Sequence, residues 1–325
     1  MIESILIEGM IYGLMVLGVF ITFRVLNFAD MTVDGSFPLG AAVTAMLLIN
    51  GVHPVPALLA AFAAGMGAGL VTALIHTKLH VPDLLSGILT MTMLYSVNLR
   101  IMANRANVSL LKVDTVFSGI SRLAERTGAA PELLTVVFLI LVAAAVKILL
   151  DLFFHTDFGL TMGALGSNPQ LIMSQGMNPQ VIKTVGICLA NGLAAAAGAL
   201  AAMYNGFADV GSGTGIVVSG LASLMLGEFL LKSNRIGLLT FRVLLGSVVY
   251  RALMFVARMY GYKIGMTAND LKLITGILII VCLILSQTGI LDKIRKGRTA
   301  KPAGIHTTPA GSNAAPDMVA KGENE

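Results

Sequence analysis

Long apolar stretches recur along most of this chain, and they constrain its fold more than any other feature. A helix needs about twenty mainly apolar residues to cross a bilayer, and nine stretches reach or approach that length. The candidate spans are Ser4–Phe23, Phe37–Ile49, Val55–Ile75, Leu84–Met102, Leu133–Phe154, Val181–Met203, Ile216–Leu231, Gly237–Val256 and Leu271–Ser286. We therefore predict an all-α polytopic membrane protein with about nine transmembrane or re-entrant helices.

The composition supports this prediction. Charged residues make up 12% of the chain and the mean hydropathy is +0.85, whereas a soluble domain carries about a quarter charged residues. The net charge of +5 owes much to the C-terminal region and gives no argument for binding nucleic acid. We expect a multi-pass protein of the cytoplasmic membrane, with lipid as its solvent.

The second and seventh candidate spans are too short to cross a bilayer as regular helices. We interpret Phe37–Ile49 and Ile216–Leu231 as broken or re-entrant segments. Irregular backbone is tolerated at membrane depth only where protein or a water-filled cavity covers it. The three glycines before the seventh span, Gly211, Gly213 and Gly215, are interpreted as a flexible external loop.

Basic residues near the C-terminus set the expected orientation. Lys293, Arg295, Lys296, Arg298 and Lys301 follow the last candidate span. Such clusters stay in the cytoplasm, so we predict a cytoplasmic C-terminus and, with nine spans, an external N-terminus. The basic loop Asn104–Pro131 disagrees with this rule, because the span count places it outside. Residues 1–294 are predicted to form one transmembrane domain and residues 295–325 a disordered cytoplasmic tail.

The interval Phe158–Asn178 is a polar segment with several glycines between two long apolar runs, and the span count places it in the cytoplasm. Asn168 is a favourable N-cap and Pro169 suits the first helical position. Gly176 can end the helix that they begin. We predict a loop that carries one short helix on the membrane face, where another protein can push against it.

Sequence signatures of an enzyme are missing from the chain. It has no phosphate-binding loop, no zinc-protease motif and no nucleophile elbow. The cysteines, Cys188 and Cys282, both lie in apolar runs and are interpreted as small buried hydrophobic residues. We predict a protein that is not an enzyme and has no cofactor or metal of its own.

Polar residues in and between the apolar stretches are candidates for a solute pathway. Asn27, Asp30 and Asp34 lie between the first two spans. They fit an interrupted helix that lines a pathway, and equally a cytoplasmic loop with helix-capping aspartates.

Three further candidates lie inside spans. Asn98 and Asn191 fit either a pathway or hydrogen bonds between helices, and the second interpretation is favoured. Arg251 can meet a substrate carboxylate or neutralise Glu228 or Asp209, and a structural role is favoured.

Two spans carry a small residue at every fourth position. The rows are Ala61, Gly65, Gly69 and Ala73 in the third span, and Ala190, Ala194, Gly198 and Ala202 in the sixth. Each row forms a smooth stripe that another helix can approach closely. The stripes predict a compact helical body.

Two motifs resemble a known family. Asn27-Phe28-Ala29-Asp30, which follows a glycine-rich first span, resembles the Asn-Phe-Ala-His-Gly region of branched-chain amino acid ABC importer permeases. The segment from Phe158-Gly-Leu through Ser167-Asn-Pro-Gln to Gly176-Met is similar to the cytoplasmic loop of that superfamily. Asp30-Met-Thr-Val-Asp34-Gly-Ser brings the chain closest to the tryptophan/tyrosine-type permeases. The resemblance covers roughly Met1 to Ile294.

The chain also departs from the family pattern at two places. Leu226–Gly237 stands where the branched-chain type has a glycine-rich stretch, and Met162 lies near the position of the usual loop arginine. These departures bear on substrate identity more than on fold.

The resemblance implies the permease subunit of an ATP-binding cassette importer for a small organic solute, an amino acid and in particular an aromatic one. It implies a separate cytosolic ATPase, an extracytoplasmic solute-binding lipoprotein and a second permease copy. The residues it assigns to ATPase coupling are Gly163, Ser167, Asn168, Pro169, Gln170 and Gly176. The alternative is a secondary carrier that is not coupled to ATP, which would show inverted repeats with matching breaks.

Overall fold

The computed structural model describes residues 2–128, 130–231 and 236–263, and the isolated positions 273, 276, 277 and 280. Its helices are α1 (Ile2–Val19), a π-helix (Phe20–Val25), α2 (Val33–Ile49), α3 (Pro54–Leu79), α4 (Asp83–Ile101), α5 (Val116–Thr127), α6 (Pro131–His155), α7 (Asp157–Ser167), α8 (Pro169–Ser174), α9 (Pro179–Asn205), a 3-10 helix (Val210–Gly213), α10 (Ile216–Leu230) and α11 (Ile236–Lys263). Two short strands, β1 (Asn107–Ser109) and β2 (Phe207–Asp209), complete the described elements.

The predicted fold class is confirmed. Among the described residues, seven helical segments are long and apolar enough to cross a membrane, and α2 is a shorter apolar helix. Each of the first eight predicted spans corresponds to one of these segments. The ninth, Leu271–Ser286, lies almost wholly outside the described residues, as does the tail 295–325. The total of nine spans and the boundary at residue 294 therefore stay predictions.

Of the two short candidate spans, the first is a shorter apolar helix, α2, whereas the second lies in the segment Val210–Leu230, which is long enough to cross a membrane. Each is preceded by non-helical backbone, and their re-entrant character stays a prediction. Before α2 the chain is non-helical from Leu26 to Met31, and Asp30 is fully buried there. Asp30 is therefore not exposed to solvent, but its Oδ1 accepts the N–H of Thr32 next to the start of α2, as the helix-capping alternative predicts. The side of the membrane on which this segment lies stays a prediction. Before α10 the chain passes through β2 and the 3-10 helix to Gly215, which has a φ of +78°.

The glycines before α10 differ in part from the prediction. A Cβ at Gly213 would lie 1.9 Å from the carbonyl oxygen of Asp34, so this turn is pressed against α2. The turn is therefore packed at Gly213 and not free there, whereas Gly211 and Gly215 are exposed, and the external position of the loop stays a prediction. Glycine is required at Gly213 because the backbone of α2 approaches it so closely.

Helix α9 lies at the centre of the bundle, because 78% of its most apolar stretch is buried by the rest of the protein. Glycines allow its neighbours to approach. A Cβ at Gly65 of α3 would lie 2.4 Å from the carbonyl oxygen of Asn191, and one at Gly40 of α2 would lie 1.9 Å from that of Ala195. The small-residue rows on α3 and α9 thus serve helix packing, as predicted.

A small cap covers the end of the bundle at which α9 terminates. Strands β1 and β2 pair antiparallel there, with Val108 opposite Ala208. The amphipathic helix α5 packs beside them through Phe117, whose ring meets Phe138 of α6 and Tyr204 of α9 edge-on. We call this end of the bundle the ribbon end. Helix α8 immediately precedes the start of α9, and 27 residues of α9 separate it from the ribbon end, about 40 Å at the usual helical rise.

Candidate functional site

Asp34 joins the starts of the two short helices. It lies in the first turn of α2, and its Oδ2 and Oδ1 accept the backbone N–H groups of Gly215 and Val217 at 2.9 and 2.8 Å. These donors belong to the start of α10, where backbone N–H groups have no partner within the helix. A carboxylate also complements the positive end of a helix dipole. One side chain thus satisfies the interrupted backbone of a span that begins inside the bundle.

Asp30 is the centre of a buried hydrogen-bond network. Its Oδ1 accepts the backbone N–H of Thr32 at 2.8 Å, and its Oδ2 accepts Nδ2 of Asn191 at 2.7 Å. Ser36 donates its hydroxyl to Oδ1 of Asn191 at 2.7 Å, and the hydroxyls of Thr32 and Thr72 lie 2.7 Å apart. The network ties the non-helical entry of α2 to α9 and α3.

A cavity of about 270 Å³ lies between α2, α4 and the 3-10 helix. Asp34, Pro38, Met91, Tyr95, Asn98 and Val210 are among the residues that line it. Asn98 is fully buried and its Nδ2 donates to the carbonyl oxygen of Gly35 at 3.2 Å. Within the described part of the chain, its Oδ1 has no hydrogen-bond partner. The predicted pathway residues Asp34 and Asn98 therefore meet at one cavity.

The other predicted pathway residues lie elsewhere. Asp30 and Asn191 belong to the adjacent network, with their polar atoms engaged by protein. Asn27 is exposed, in a turn with a φ of +52°. Arg251 lies 3.6 Å from Glu8 through Nη1, with its guanidinium 3.4 Å from the centre of the Tyr12 ring.

Arg251 is thus paired with Glu8, and not with Glu228 or Asp209 as predicted. Glu228 instead contacts Arg242 and Arg24, each at 2.9 Å, and the carboxylate of Asp209 accepts the backbone N–H of Gly211. Lys147 and Asp151, four residues apart on α6, form an ion pair, and Asp151 also accepts the hydroxyl of Thr240 on α11 at 2.6 Å.

The Phe158–Asn178 segment contains two helices rather than one. The predicted start of the short helix is confirmed, because Oδ1 of Asn168 accepts the N–H groups of Gln170 and Leu171 at 3.1 and 3.3 Å. Its predicted end is also confirmed, since Gly176 adopts a φ of +75° after α8. The prediction of a loop over the first part was wrong, because Asp157–Ser167 forms α7.

Helix α7 rests directly on the first span. A Cβ at Gly166 would lie 2.0 Å from the carbonyl oxygen of Val25, the last residue of the π-helix. An apolar cavity of about 150 Å³ between α7, α6, α11 and the π-helix lies beside this contact. Gly163 lines that cavity and is itself exposed.

Helix α8 presents apolar side chains to its surroundings. Ile172 is buried beneath it, whereas Leu171 and Met173 are 46% and 54% exposed. All six predicted coupling residues are exposed as well: Gly163, Ser167, Asn168, Pro169, Gln170 and Gly176. Exposed apolar groups on a polar face are typical of a protein contact surface. We call Ser167–Met177 without Ile172 the α8 surface.

Sequence reasoning missed several residues of these sites. Ser36 belongs to the motif Asp30–Ser36 but was not assigned a partner, and Thr72 and Tyr95 are ordinary in apolar runs, where nothing in the pattern distinguishes them. The glycines at Gly213 and Gly166 could have suggested close contacts with another backbone. The sequence does not show which part of the chain makes each contact.

Comparisons with known proteins show the family of the chain. The model of a family described as the permease component of branched-chain amino acid transport systems matches residues 1–283. A tyrosine transport system permease protein of Clostridioides difficile (strain R20291) is 40% identical over 300 residues, which cover 92% of this chain and 95% of that protein. An uncharacterised protein of Rickettsia prowazekii (strain Madrid E) is 33% identical over 273 residues, or 83% and 91% of the two chains. No solved structure gives a significant match.

Proposed function

Because the chain belongs to the family of branched-chain amino acid transport system permeases, we propose that it is the membrane-spanning permease subunit of an ATP-binding cassette importer for amino acids, with tyrosine or a related aromatic amino acid as the solute. The observation that carries the proposal is the relationship to a tyrosine transport system permease along nearly the whole of both chains. The subunit is a multi-pass membrane protein and supplies the pathway, whereas ATP is hydrolysed on a partner chain.

The α8 surface is the proposed contact with that cytosolic ATPase. Its exposed Leu171 and Met173 enter a groove on the ATPase, and Asn168 fixes the start of the helix that carries them. Ser167, Pro169, Gln170 and Gly176 shape the same surface, and Gly163 is the proposed coupling residue on α7, beside the cavity against the π-helix. This role places α8 in the cytoplasm and the ribbon end outside, where an extracytoplasmic solute-binding lipoprotein delivers the solute.

Motion at the α8 surface has a short physical route to the pathway. Helix α7 presses on Val25 through Gly166, and the chain runs from Val25 through the buried Asp30 network to Asp34. ATP-driven closure of the partner displaces α7 and thereby the entry of α2 against the start of α10. Rigid-body shifts of packed helices are an established way to alternate access. A second copy of the permease completes the transporter as a homodimer.

The proposal is tested by uptake of labelled L-tyrosine into cells that express the permease with the ATPase and binding protein encoded beside it. Replacing the phosphate-loop lysine of the ATPase by alanine should abolish uptake while the permease stays inserted. Uptake that persists in this variant would instead identify a secondary carrier. The meeting of two interrupted spans at Asp34 is also compatible with that class of transporter, so the experiment decides between the two.

A further inference from the structure

Asn98, which lines the cavity between α2, α4 and the 3-10 helix, carries a buried acceptor that lacks a donor among the described residues. Nδ2 of Asn98 donates to the carbonyl oxygen of Gly35, and this bond fixes the orientation of the amide, because a flipped amide would set two oxygens against each other. Oδ1 is therefore the free atom, without a partner among the described residues. A buried acceptor of this kind is unfavourable unless a ligand or a water supplies the missing donor.

The electrostatic character of the cavity favours a cationic donor. Among the described residues that line it, Asp34 is the one charged side chain. A carboxylate accepts about four hydrogen bonds, and the bonds from Gly215 and Val217 use two of them. The same two bonds occupy backbone donors at the start of α10, which would otherwise attract an anion. Thr92 gives its hydroxyl hydrogen to the carbonyl oxygen of Leu89, so the hydroxyls of Tyr95 and Thr214 are the remaining neutral side-chain donors beside the Asp34 carboxylate and the Asn98 oxygen.

The remaining wall suits an apolar or aromatic body. Pro38, Met91 and Val210 contribute apolar surface, and Tyr95 contributes a ring that is 54% exposed. Thioether and aromatic groups both pack well against an aromatic solute. The volume of about 270 Å³ is close to the lower end of the range for small-molecule sites. It is far larger than the volume that one water molecule occupies.

We infer that this cavity is the ammonium subsite for the transported amino acid: Oδ1 of Asn98 accepts an N–H of the α-ammonium group, Asp34 balances its charge, and Met91 and Tyr95 hold the side chain. The inference rests on the proposed function and deepens it. It predicts selection of the solute by its amine rather than by its carboxylate.

Three probes distinguish recognition of the ammonium group from recognition of the carboxylate. They are L-tyrosine, tyramine, which lacks the carboxylate, and 3-(4-hydroxyphenyl)propionate, which lacks the ammonium. Their dissociation constants are measured by calorimetry on the permease–ATPase complex in nanodiscs, without the binding protein. Tyramine should bind within about threefold of tyrosine, and the propionate at least about tenfold more weakly, the value of a hydrogen bond to a charged group.

Variants of Asn98 test the proposed role of its Oδ1. Asn98→Leu removes the acceptor and should weaken tyrosine and tyramine about tenfold without changing the propionate. Asn98→Asp keeps an acceptor oxygen and should bind tyramine at least as tightly as the wild type. Thr44→Val is the matched control, because Thr44 also has a buried side-chain oxygen without a partner in the described structure but does not line the cavity.

The outcomes distinguish this inference from the proposed function. Tyrosine uptake that does not depend on the ATPase overturns the function. Given ATP-dependent uptake, the inference is overturned if the propionate binds like tyramine, if no probe binds the complex, or if Asn98→Leu and Thr44→Val behave alike. Should Asn98→Leu not fold, tyramine binding by Asn98→Asp about tenfold weaker than by the wild type overturns the inference in its place.

Discussion

The carboxylate of Asp34 accepts the backbone N–H of Val217 at 2.8 Å, although 183 positions separate the two residues along the chain. Two interrupted spans thereby begin at one point within the bundle. The bond explains how α10 starts with its first donors satisfied, and it places the charge of Asp34 beside the cavity that Asn98 also lines.

Removing the charge of Asp34 should loosen this junction. Asp34→Asn keeps the shape but replaces charged hydrogen bonds to Gly215 and Val217 by weaker ones, and we expect a loss of about 1–3 kcal/mol in stability. Thermal unfolding in detergent measures it. Asp114→Asn is the control, because Asp114 forms an exposed ion pair with Arg122 that contributes little. Equal unfolding temperatures for Asp34→Asn and the wild type would contradict the role of Asp34.

The contact of α7 with the first span should transmit motion. Gly166→Ala places a methyl group 2.0 Å from the carbonyl oxygen of Val25, so the helix must shift, and we expect a loss of tyrosine uptake of about tenfold or more. Gly67→Ala is matched, because its Cβ meets nothing within 4 Å. Unchanged uptake by Gly166→Ala in a folded protein would remove α7 from the route.

The α8 surface should be required for assembly with the ATPase. Leu171→Asp and Met173→Asp place charge in the proposed apolar contact, which costs several-fold to a hundredfold in affinity at an interface centre, about 1–3 kcal/mol. The amount of ATPase that copurifies with the tagged permease measures this loss. Leu111→Asp alters a leucine at the ribbon end that is even more exposed, 84% against 46% for Leu171, and should leave copurification intact. If all three variants retain the ATPase, α8 is not the contact.

Swapping the two residues of the buried pair Asp30 and Asn191 should destabilise the protein less than replacing Asn191 by aspartate alone. Asn191→Asp sets two carboxylates at hydrogen-bond distance inside the bundle, which should destabilise the protein by about 3 kcal/mol or more. The double variant Asp30→Asn with Asn191→Asp restores one donor and one acceptor between the two positions and keeps an acceptor for the Ser36 hydroxyl. Both variants lose the bond from Asn191 to the carbonyl oxygen of Ile187, so the comparison between them isolates the pair. The folded fraction after solubilisation should fall for the single variant and recover for the double one. A double variant no better than the single would show that the pair does not couple.

Local chemistry in the sequence predicted much of this architecture. Hydropathy gave the first eight spans, since each long helix must hide its backbone from lipid. The start of α8 followed from Asn168 and Pro169, because capping depends on neighbours in the chain. The shortness of Phe37–Ile49 correctly indicated a short apolar helix, α2, whereas Ile216–Leu231 is part of a segment that is long enough to cross a membrane.

Long-range packing could not be predicted in the same way. Helix α7 was missed because its three glycines, Gly159, Gly163 and Gly166, have low helix propensity, and contacts with the first and fifth predicted spans override it. The partner of Arg251 was missed because Glu8 lies at the other end of the described chain. Asn98 and Asp34 were both candidates, but only the folded chain brings them to one cavity.

The central claim is that the α8 surface faces the cytoplasm, where an ATPase can move it, and the ribbon end faces outward. It is tested by single cysteines placed in a Cys188→Ala, Cys282→Ala background and labelled with a membrane-impermeant maleimide. We predict that Ser167→Cys is protected in intact cells and labelled in inverted vesicles, while Leu111→Cys shows the reverse. Labelling of Ser167→Cys from outside intact cells would contradict the account.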